Sequence, residues 1–238
     1  MELLDLTLPT AEENLACDEA LLLEAEAGRQ GELLRLWEWS APLVVLGAGC
    51  RLADDVDEGA CIEDGVPLLR RSSGGGTVLL GKGCLCFSLV LSYKIAPELR
   101  EIGSSYAYVV HRIAKVLDGL LPNITLAGTS DLTSQGRKFS GNAQQRKRRF
   151  LLHHGTLLYR FDISQAGRYL RMPARQPEYR GHRENDTFLT NLPTDSSELR
   201  RRLMNAWAAT EATASYPDAE IQRLVREKYS QKAWIRRR

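Results

Sequence analysis

One α+β domain is the fold class this sequence predicts, on three observations. Short apolar runs of strand length alternate with longer segments of helical period. No repeat or linker interrupts them, and 238 residues fit a single domain with a substantial core. Thr10 followed by Glu13 is a capping box, and Ala11 to Ala27 holds Leu15, Leu22 and Leu23 among acidic residues until Gly28, which predicts an amphipathic helix. Leu33 to Trp37 and Leu43 to Leu46 read as neighbouring strands with a turn at Ser40 and Pro42. Val66 to Leu69 reads as another, cut off by the glycine-rich stretch Ser72 to Gly76. Thr77 to Leu80 and Leu85 to Tyr93 suggest a hairpin about Gly81-Lys82-Gly83. Ser104 or Ser105 caps a helix on which Tyr106, Val109, Val110, Ile113, Leu117 and Leu120 recur until Pro122. Leu151 to Arg160 reads as a strand and Ser164 to Leu170 as a short helix. Arg171 to Pro193 is polar, holds three prolines and has no clean period, so it reads as a long loop of the kind that often covers a site. Leu199 to Ala208 and Ala219 to Tyr229 are helical, before Trp234 and Arg236-Arg237-Arg238.

Composition narrows the function classes. With 43% hydrophobic and 26% charged residues the chain is neither disordered nor low-complexity. Its 32 basic and 30 acidic residues leave a net charge of +2, so no global field draws it to nucleic acid. The longest apolar runs, such as Leu43 to Ala48, are far shorter than the roughly 20 residues of a membrane span. Met1 to Pro9 carries Glu2 and Asp5 and no Lys or Arg, unlike a secretory or transit signal, so the cytoplasm is the expected location. Five scattered cysteines (Cys17, Cys50, Cys61, Cys84, Cys86) with no C-x-x-C pair, beside four histidines, argue against a disulfide framework and a structural zinc site.

Chemistry first surfaces at Arg70-Arg71-Ser72-Ser73-Gly74-Gly75-Gly76-Thr77. Three consecutive glycines suit a backbone whose N–H groups approach an anion with no Cβ in the way, and two arginines add donors for carboxylate or phosphate. The same residues also suit a plain hairpin corner with solvated arginines. Gly76 to Lys82 spells G-x-x-x-x-G-K, but Gly83 follows where a P-loop needs Ser or Thr, and a strand-like run replaces the helix. A second segment runs Ser130-Asp131-Leu132, Gly136-Arg137-Lys138-Phe139-Ser140-Gly141-Asn142-Ala143-Gln144, then His153-His154-Gly155-Thr156-Leu157-Leu158. Lys138, with small residues Gly136 and Ser140 two positions either side, is placed to neutralise charge developing on a carboxylate or acyl phosphate.

In this order, R-R-x-S-G-G-G-x-V, D-L, G-R-K-x-S-G-x-A and H-H-G-T-L-L, the chain resembles the lipoate-protein ligase and octanoyltransferase family from about Asp18 through Trp37 to Leu192. The resemblance implies a mixed, largely antiparallel sheet flanked by helices, a fold shared with biotin protein ligases and related to class II aminoacyl-tRNA synthetases. It implies a single catalytic domain over residues 1–238, without a separate C-terminal accessory domain. The implied reaction activates lipoate or octanoate with ATP and Mg2+ to an acyl adenylate. The acyl group then passes to a lysine of a lipoyl-domain acceptor, an E2 subunit or a glycine-cleavage H-like protein. Carried over by motif, Lys138 is the catalytic residue. Trp37, Arg70, Gly74, Gly75, His154 and Gly155 would bind the acyl group, Arg71, Ser73, Gly76, Thr77, Val78, Asp131, Lys138 and Thr156 the nucleotide, and Asp131 the magnesium.

The family's ATP-independent branch passes the acyl group through a cysteine thioester from an acyl carrier protein. That cysteine lies several residues before the segment here reading Ser130-Asp131-Leu132, and Leu120 to Thr129 contains none. The relatives also tend to carry Arg at the third glycine, here Gly76, so both features favour the ligase. Cys50 and Cys84 sit where the family usually has other residues; they are either displaced nucleophiles or, as free cysteines often are, small buried residues. About forty-five residues follow Leu192, too few for an accessory domain with its own core, which leaves self-sufficiency or an accessory ligase subunit as alternatives. Arg146-Lys147-Arg148-Arg149 would steer an acidic lipoyl domain, or would be a solvated turn between strands. Read with the basic tail it could instead mark a nucleic-acid-binding module, but no aromatic platform or helix-turn-helix accompanies it, so no specific nucleic acid and no membrane is expected as a partner.

Overall fold

The computed structural model of the protein describes residues 1–173, 176–209, 211–212 and 215–238. In chain order the elements begin β1 (Glu2–Asp5), α1 (Ala11–Ala27), β2 (Leu33–Glu38), β3 (Leu43–Leu46), α2 (Leu52–Asp55), α3 (Glu58–Glu63), β4 (Leu68–Arg70), β5 (Val78–Leu80) and β6 (Cys84–Ser92). They continue with α4 (Ile102–Leu117), β7 (Ile124–Ala127), β8 (Asp131–Ser134), β9 (Arg137–Arg146), β10 (Phe150–Leu158), α5 (Ser164–Tyr169) and α6 (Asn185–Phe188). The last are α7 (Ser196–Trp207), β11 (Glu211–Ala212), α8 (Asp218–Leu224) with a wider turn over Val225–Tyr229, and α9 (Lys232–Ile235).

The large sheet has the order β11-β1-β2-β6-β10-β9-β8-β7 and is parallel only at β11-β1-β2, as a mixed, largely antiparallel α+β fold requires. Its central strands β2 and β6 are buried on both faces. Along β2 and β6, Leu33, Trp37, Cys86 and Val90 face the core under α1, while Leu34, Leu36, Leu85, Phe87, Leu89 and Leu91 face the core under α4 and α7. Two covered faces explain why these strands read as continuous apolar runs rather than alternating ones.

A second sheet, β4-β3-β5, corrects two local expectations. β2 and β3 are not partners, and β5 and β6 do not form a hairpin: the Gly81-Lys82-Gly83 turn carries the chain from the small sheet to the large one. β3 pairs instead with β4 in parallel and with β5 antiparallel, which hangs the glycine-rich segment between two strands of one small sheet.

The capping box at Thr10 and Glu13 and the left-handed Gly28 bound α1 as the sequence predicts. The helix is not amphipathic, however, because it is covered nearly all round and buries Asp18 and Glu19. Asp18 meets fully buried Arg35 at 2.7 Å, and Glu19 meets Lys228 at 2.7 Å and the Tyr229 hydroxyl at 2.8 Å. Ser104 and Ser105 lie inside α4, whose N-cap is Glu101; their hydroxyls bond back to main-chain carbonyls. The polar stretch after Arg171 is not structureless, since it holds a short helical turn at Glu178–Arg180 and α6; residues 174–175 within it lie outside the described residues. Among the described residues no helix is long and apolar enough to cross a membrane.

His153 on β10 is fully buried between Phe87 and Tyr106, bonded to Gln144 and Asn142, and burial pushes its imidazole down to about 3. Below the ordinary histidine pKa the unfolded chain takes up a proton that the folded chain refuses. Stability is therefore complete above about pH 6.5 and falls as the pH drops toward 3. His153→Gln is expected to reduce the stability lost between pH 7 and pH 5 by about 2 kcal/mol, read by urea denaturation at the two pH values.

Candidate active site

The glycine loop is shaped from behind by Arg71. This buried guanidinium donates to the carbonyls of Gly74 (2.6 Å), Gly76 (2.8 Å) and Val45 (3.3 Å) and to the Ser73 hydroxyl (3.0 Å). Those bonds hold the loop carbonyls toward Arg71. Among the described residues no acceptor takes the N–H groups of Gly74, Gly75 and Gly76, which are exposed. Free N–H groups in sequence are an anion nest. Gly75 adopts a left-handed conformation (φ 82°), and a Cβ at Gly47 would sit 2.0 Å from the Gly75 carbonyl oxygen, so the two glycines permit a backbone contact no other residue would.

Ser73 is held from a second direction. Its hydroxyl lies 2.6 Å from His154 Nε2, whose Nδ1 lies 3.1 Å from Asp18, which also accepts from Ser88 (2.8 Å) and Arg35 (2.7 Å). Burial alone would raise the Asp18 carboxyl, but the Arg35 guanidinium and the His154 and Ser88 hydrogen bonds outweigh it and hold the group below the usual carboxylate range. An ionised Asp18 accepts a hydrogen bond from the Nδ1–H of His154, leaving Nε2 to accept from the Ser73 hydroxyl. The loop is thus tied to α1 through a buried chain of polar groups.

Across from the loop, β8 and β9 pair with a bulge at Leu132/Thr133 that sets Asp131 opposite Gly141 and Lys138 opposite Thr133. Lys138 Nζ reaches Asp131 at 2.9 Å, both partly buried. A Cβ at Gly141 would meet Lys138 Nζ at 2.8 Å, so this glycine makes room for the lysine. The other Asp131 oxygen accepts from the Tyr179 hydroxyl at 2.6 Å, which burial first, then the Asp131 carboxylate, pushes far up in pKa.

Between these walls lies a cleft of about 1210 Å³. Of the site residues named from the sequence, Gly74, Gly75, Gly76, Thr77, Val78, Asp131, Lys138 and Thr156 line it. Trp37, Arg70, Arg71, Ser73, His154 and Gly155 do not. Trp37 is packed in the core under α1 with its indole nitrogen unpartnered, and Arg70 is fully buried, donating to Gly47, Cys50 and Ile235 carbonyls while one of its nitrogens, Nη2, has no partner. Arg71, Ser73 and His154 support the loop instead of facing the cleft, and Gly155 leaves space for Asn142, whose side-chain oxygen a Cβ would approach to 2.1 Å. The apolar wall comes instead from Leu79, Leu158, Phe161, Leu170 and Phe188. Tyr179 and Arg180 from the predicted loop were also missed; no periodicity or motif marks them.

Cys50 lines the cleft, contrary to the expectation of burial, whereas Cys84 and Cys86 are core. Its thiol donates to the Gly75 carbonyl (3.4 Å), and burial pushes its pKa up. The basic cluster is the turn between β9 and β10. Arg146 donates to the Leu99 and Arg100 carbonyls and keeps its charge, while Arg149 faces Glu26 at 3.8 Å. Among the described residues no group of three or more His, Cys, Asp or Glu side chains is placed to hold a metal ion.

Residues 10–204 match the family model of the lipoyl protein ligase A/B catalytic domain. The chain is 31% identical over 157 residues to a probable lipoate-protein ligase A of Mycoplasma pneumoniae, covering 66% of this chain and 45% of that one, so it spans about half the length of that relative. It is 27% identical over 259 residues to the octanoyltransferase LipM of Carboxydothermus hydrogenoformans, covering 94% and 93%. A solved structure of lipoate-protein ligase A bound with ATP superposes with a TM-score of 0.83 at 22% identity, covering 99% of this chain and 98% of that one, which establishes the shared fold.

Proposed function

The chain belongs to the lipoyl protein ligase A/B catalytic-domain family, and from that premise we propose that residues 1–238 act as one catalytic domain, a cytoplasmic lipoate-protein ligase using ATP. The observation that carries the reading is the pairing of a free N–H nest with Lys138 across one cleft that also has an apolar wall. The apolar wall suits an acyl chain, and the nest and lysine suit phosphate.

In the first step a carboxylate oxygen of lipoate attacks the α-phosphorus of ATP, and pyrophosphate leaves. In the second the ε-amine of the acceptor lysine attacks the acyl carbonyl, AMP leaves, and the amine gives up a proton. Lys138 stabilises the negative charge that develops on the α-phosphate and the acyl carbonyl, while the loop N–H groups orient the phosphates. Magnesium commonly takes one carboxylate, phosphate oxygens and water, a set Asp131 fits once Lys138 or Tyr179 releases an oxygen. The acceptor would be a lipoyl domain of an E2 subunit or a glycine-cleavage H-like protein.

The similarity to LipM, over nearly the whole of both chains, favours a second reading: acyl transfer from an acyl carrier protein through a thiolate. Against it stands Cys50, the one thiol on the cleft among the described residues, protonated and bonded to a carbonyl. Pyrophosphate release from ATP that requires lipoate, undiminished in Cys50→Ser, is the expected result. ATP-independent transfer from an octanoyl carrier protein, abolished by Cys50→Ser, would overturn it.

A further inference from the structure

Residues 231–238 close over the strand that feeds the glycine loop. The Trp234 indole N–H donates to the Arg70 carbonyl at 2.8 Å, and Arg70 Nε donates back to the Ile235 carbonyl at 2.9 Å. Lys228 and Arg237 lie over the Trp234 ring, 4.3 and 4.1 Å from its centroid. Arg236 pairs with Glu58 at 2.6 Å, Arg237 donates to the Ala48 carbonyl, and the Leu52 N–H donates to the main-chain oxygen of Arg238 at 3.2 Å. A segment with so many fixed points is part of the wall behind the loop. Arg238 borders the same cleft as Gly74, Gly75 and Gly76.

The charged side chains that line that cleft do not balance. Its cations are Arg51, Lys138, Arg171, Arg180 and Arg238, and its acids Asp54, Asp55 and Asp131. Arg51 faces Asp54 at 3.6 Å and Lys138 faces Asp131, while Asp55 accepts from Thr77. Among the described residues no carboxylate lies within ion-pairing distance of Arg171, Arg180 or Arg238. Arg171 donates to the Ala53 carbonyl and the Arg238 main-chain oxygen accepts from Leu52, so both residues touch α2, while Arg180 is buried near Asn185 and Phe188. Two arginines without a carboxylate partner, on one cleft with the exposed N–H groups of the glycine loop, supply more positive charge than a single phosphate needs.

We propose that Arg238, delivered by the clasped segment 231–238, binds the polyphosphate end of the nucleotide, the part that leaves as pyrophosphate. This deepens the ATP-dependent reading and rests on it. A nucleotide with no β- and γ-phosphates gains nothing from Arg238.

Calorimetric titration of ATP and of AMP into the whole protein separates the possibilities. Arg238 is exposed, so Arg238→Gln keeps the fold. ATP should bind about tenfold more weakly to Arg238→Gln, equivalent to about 1.4 kcal/mol, with AMP binding unchanged and Arg238→Lys between the two. Unchanged ATP binding in Arg238→Gln would overturn the role of Arg238 alone, and equal weakening of ATP and AMP would overturn its placement at the polyphosphate. Wild-type protein that binds neither nucleotide would overturn the ATP-dependent reading itself, and this inference with it.

Discussion

Lys138→Ala is expected to cut lipoyl transfer by about 10²–10³-fold while leaving the thermal midpoint within a few degrees of wild type. The lysine contributes little to the core, since its side chain is 24% exposed and its one ion pair lies at the cleft. Its removal acts twice on the reaction. The positive charge meant for the phosphate and the acyl carbonyl is lost, and Asp131 is left as an uncompensated carboxylate facing the incoming phosphates. Both changes raise the energy of the charged transition state more than that of bound substrate, so kcat should fall further than KM rises. Steady-state kinetics against ATP and lipoate, with circular dichroism melting, checks this. A folded Lys138→Ala protein of undiminished activity would remove the lysine from the mechanism.

Arg35→Met is expected to produce the largest loss of stability, about 3–5 kcal/mol. Arg35 has no solvent exposure and lies over the Trp37 ring at 5.2 Å, donating to Asp18 and to Asn14. Without it Asp18 remains buried with no guanidinium partner, and the charge that keeps His154 oriented toward Ser73 loses its stabilisation. Adding Asp18→Asn removes the stranded charge, so Arg35→Met with Asp18→Asn should recover part of the loss in denaturant melts. Activity should stay low in the double variant, because the chain of groups that ties the loop to α1 is broken. A loss below about 1 kcal/mol for Arg35→Met would mean that the buried pair is not what sets the position of α1.

What the sequence discloses depends on how local the cause is. The ends of α1 are legible because a capping box and a left-handed glycine are local signals. The glycine loop, Asp131 and Lys138 stand out in the sequence because their motifs follow one another in the family's order, and Gly141 leaves the volume that Lys138 fills. Long-range pairing is not legible. The Gly81-Lys82-Gly83 turn invites a hairpin, yet β5 finds β3 and β6 finds β2 and β10, since the sheets are chosen by burial on both faces. β7, β8 and β9 escape a period search because Thr125, Asp131, Ser134, Arg137 and Asn142 interrupt their apolar pattern. Arg70 and Arg71 mislead for a different reason. An arginine next to glycines suggests a phosphate contact, but burial turns both into donors for main-chain carbonyls that shape the loop. The apolar wall is invisible for want of contrast, since Leu79, Leu158, Phe161 and Leu170 differ from ordinary core residues only in the space they border.

Intact-mass spectrometry of a lipoyl-domain acceptor incubated with the purified protein and lipoate, with and without magnesium-ATP, reads out ATP-dependent lipoylation. The expected result is a single lipoyl increment on the acceptor that requires ATP and is lost in Lys138→Ala. An increment that forms equally without ATP when octanoyl acyl carrier protein is the donor would contradict it.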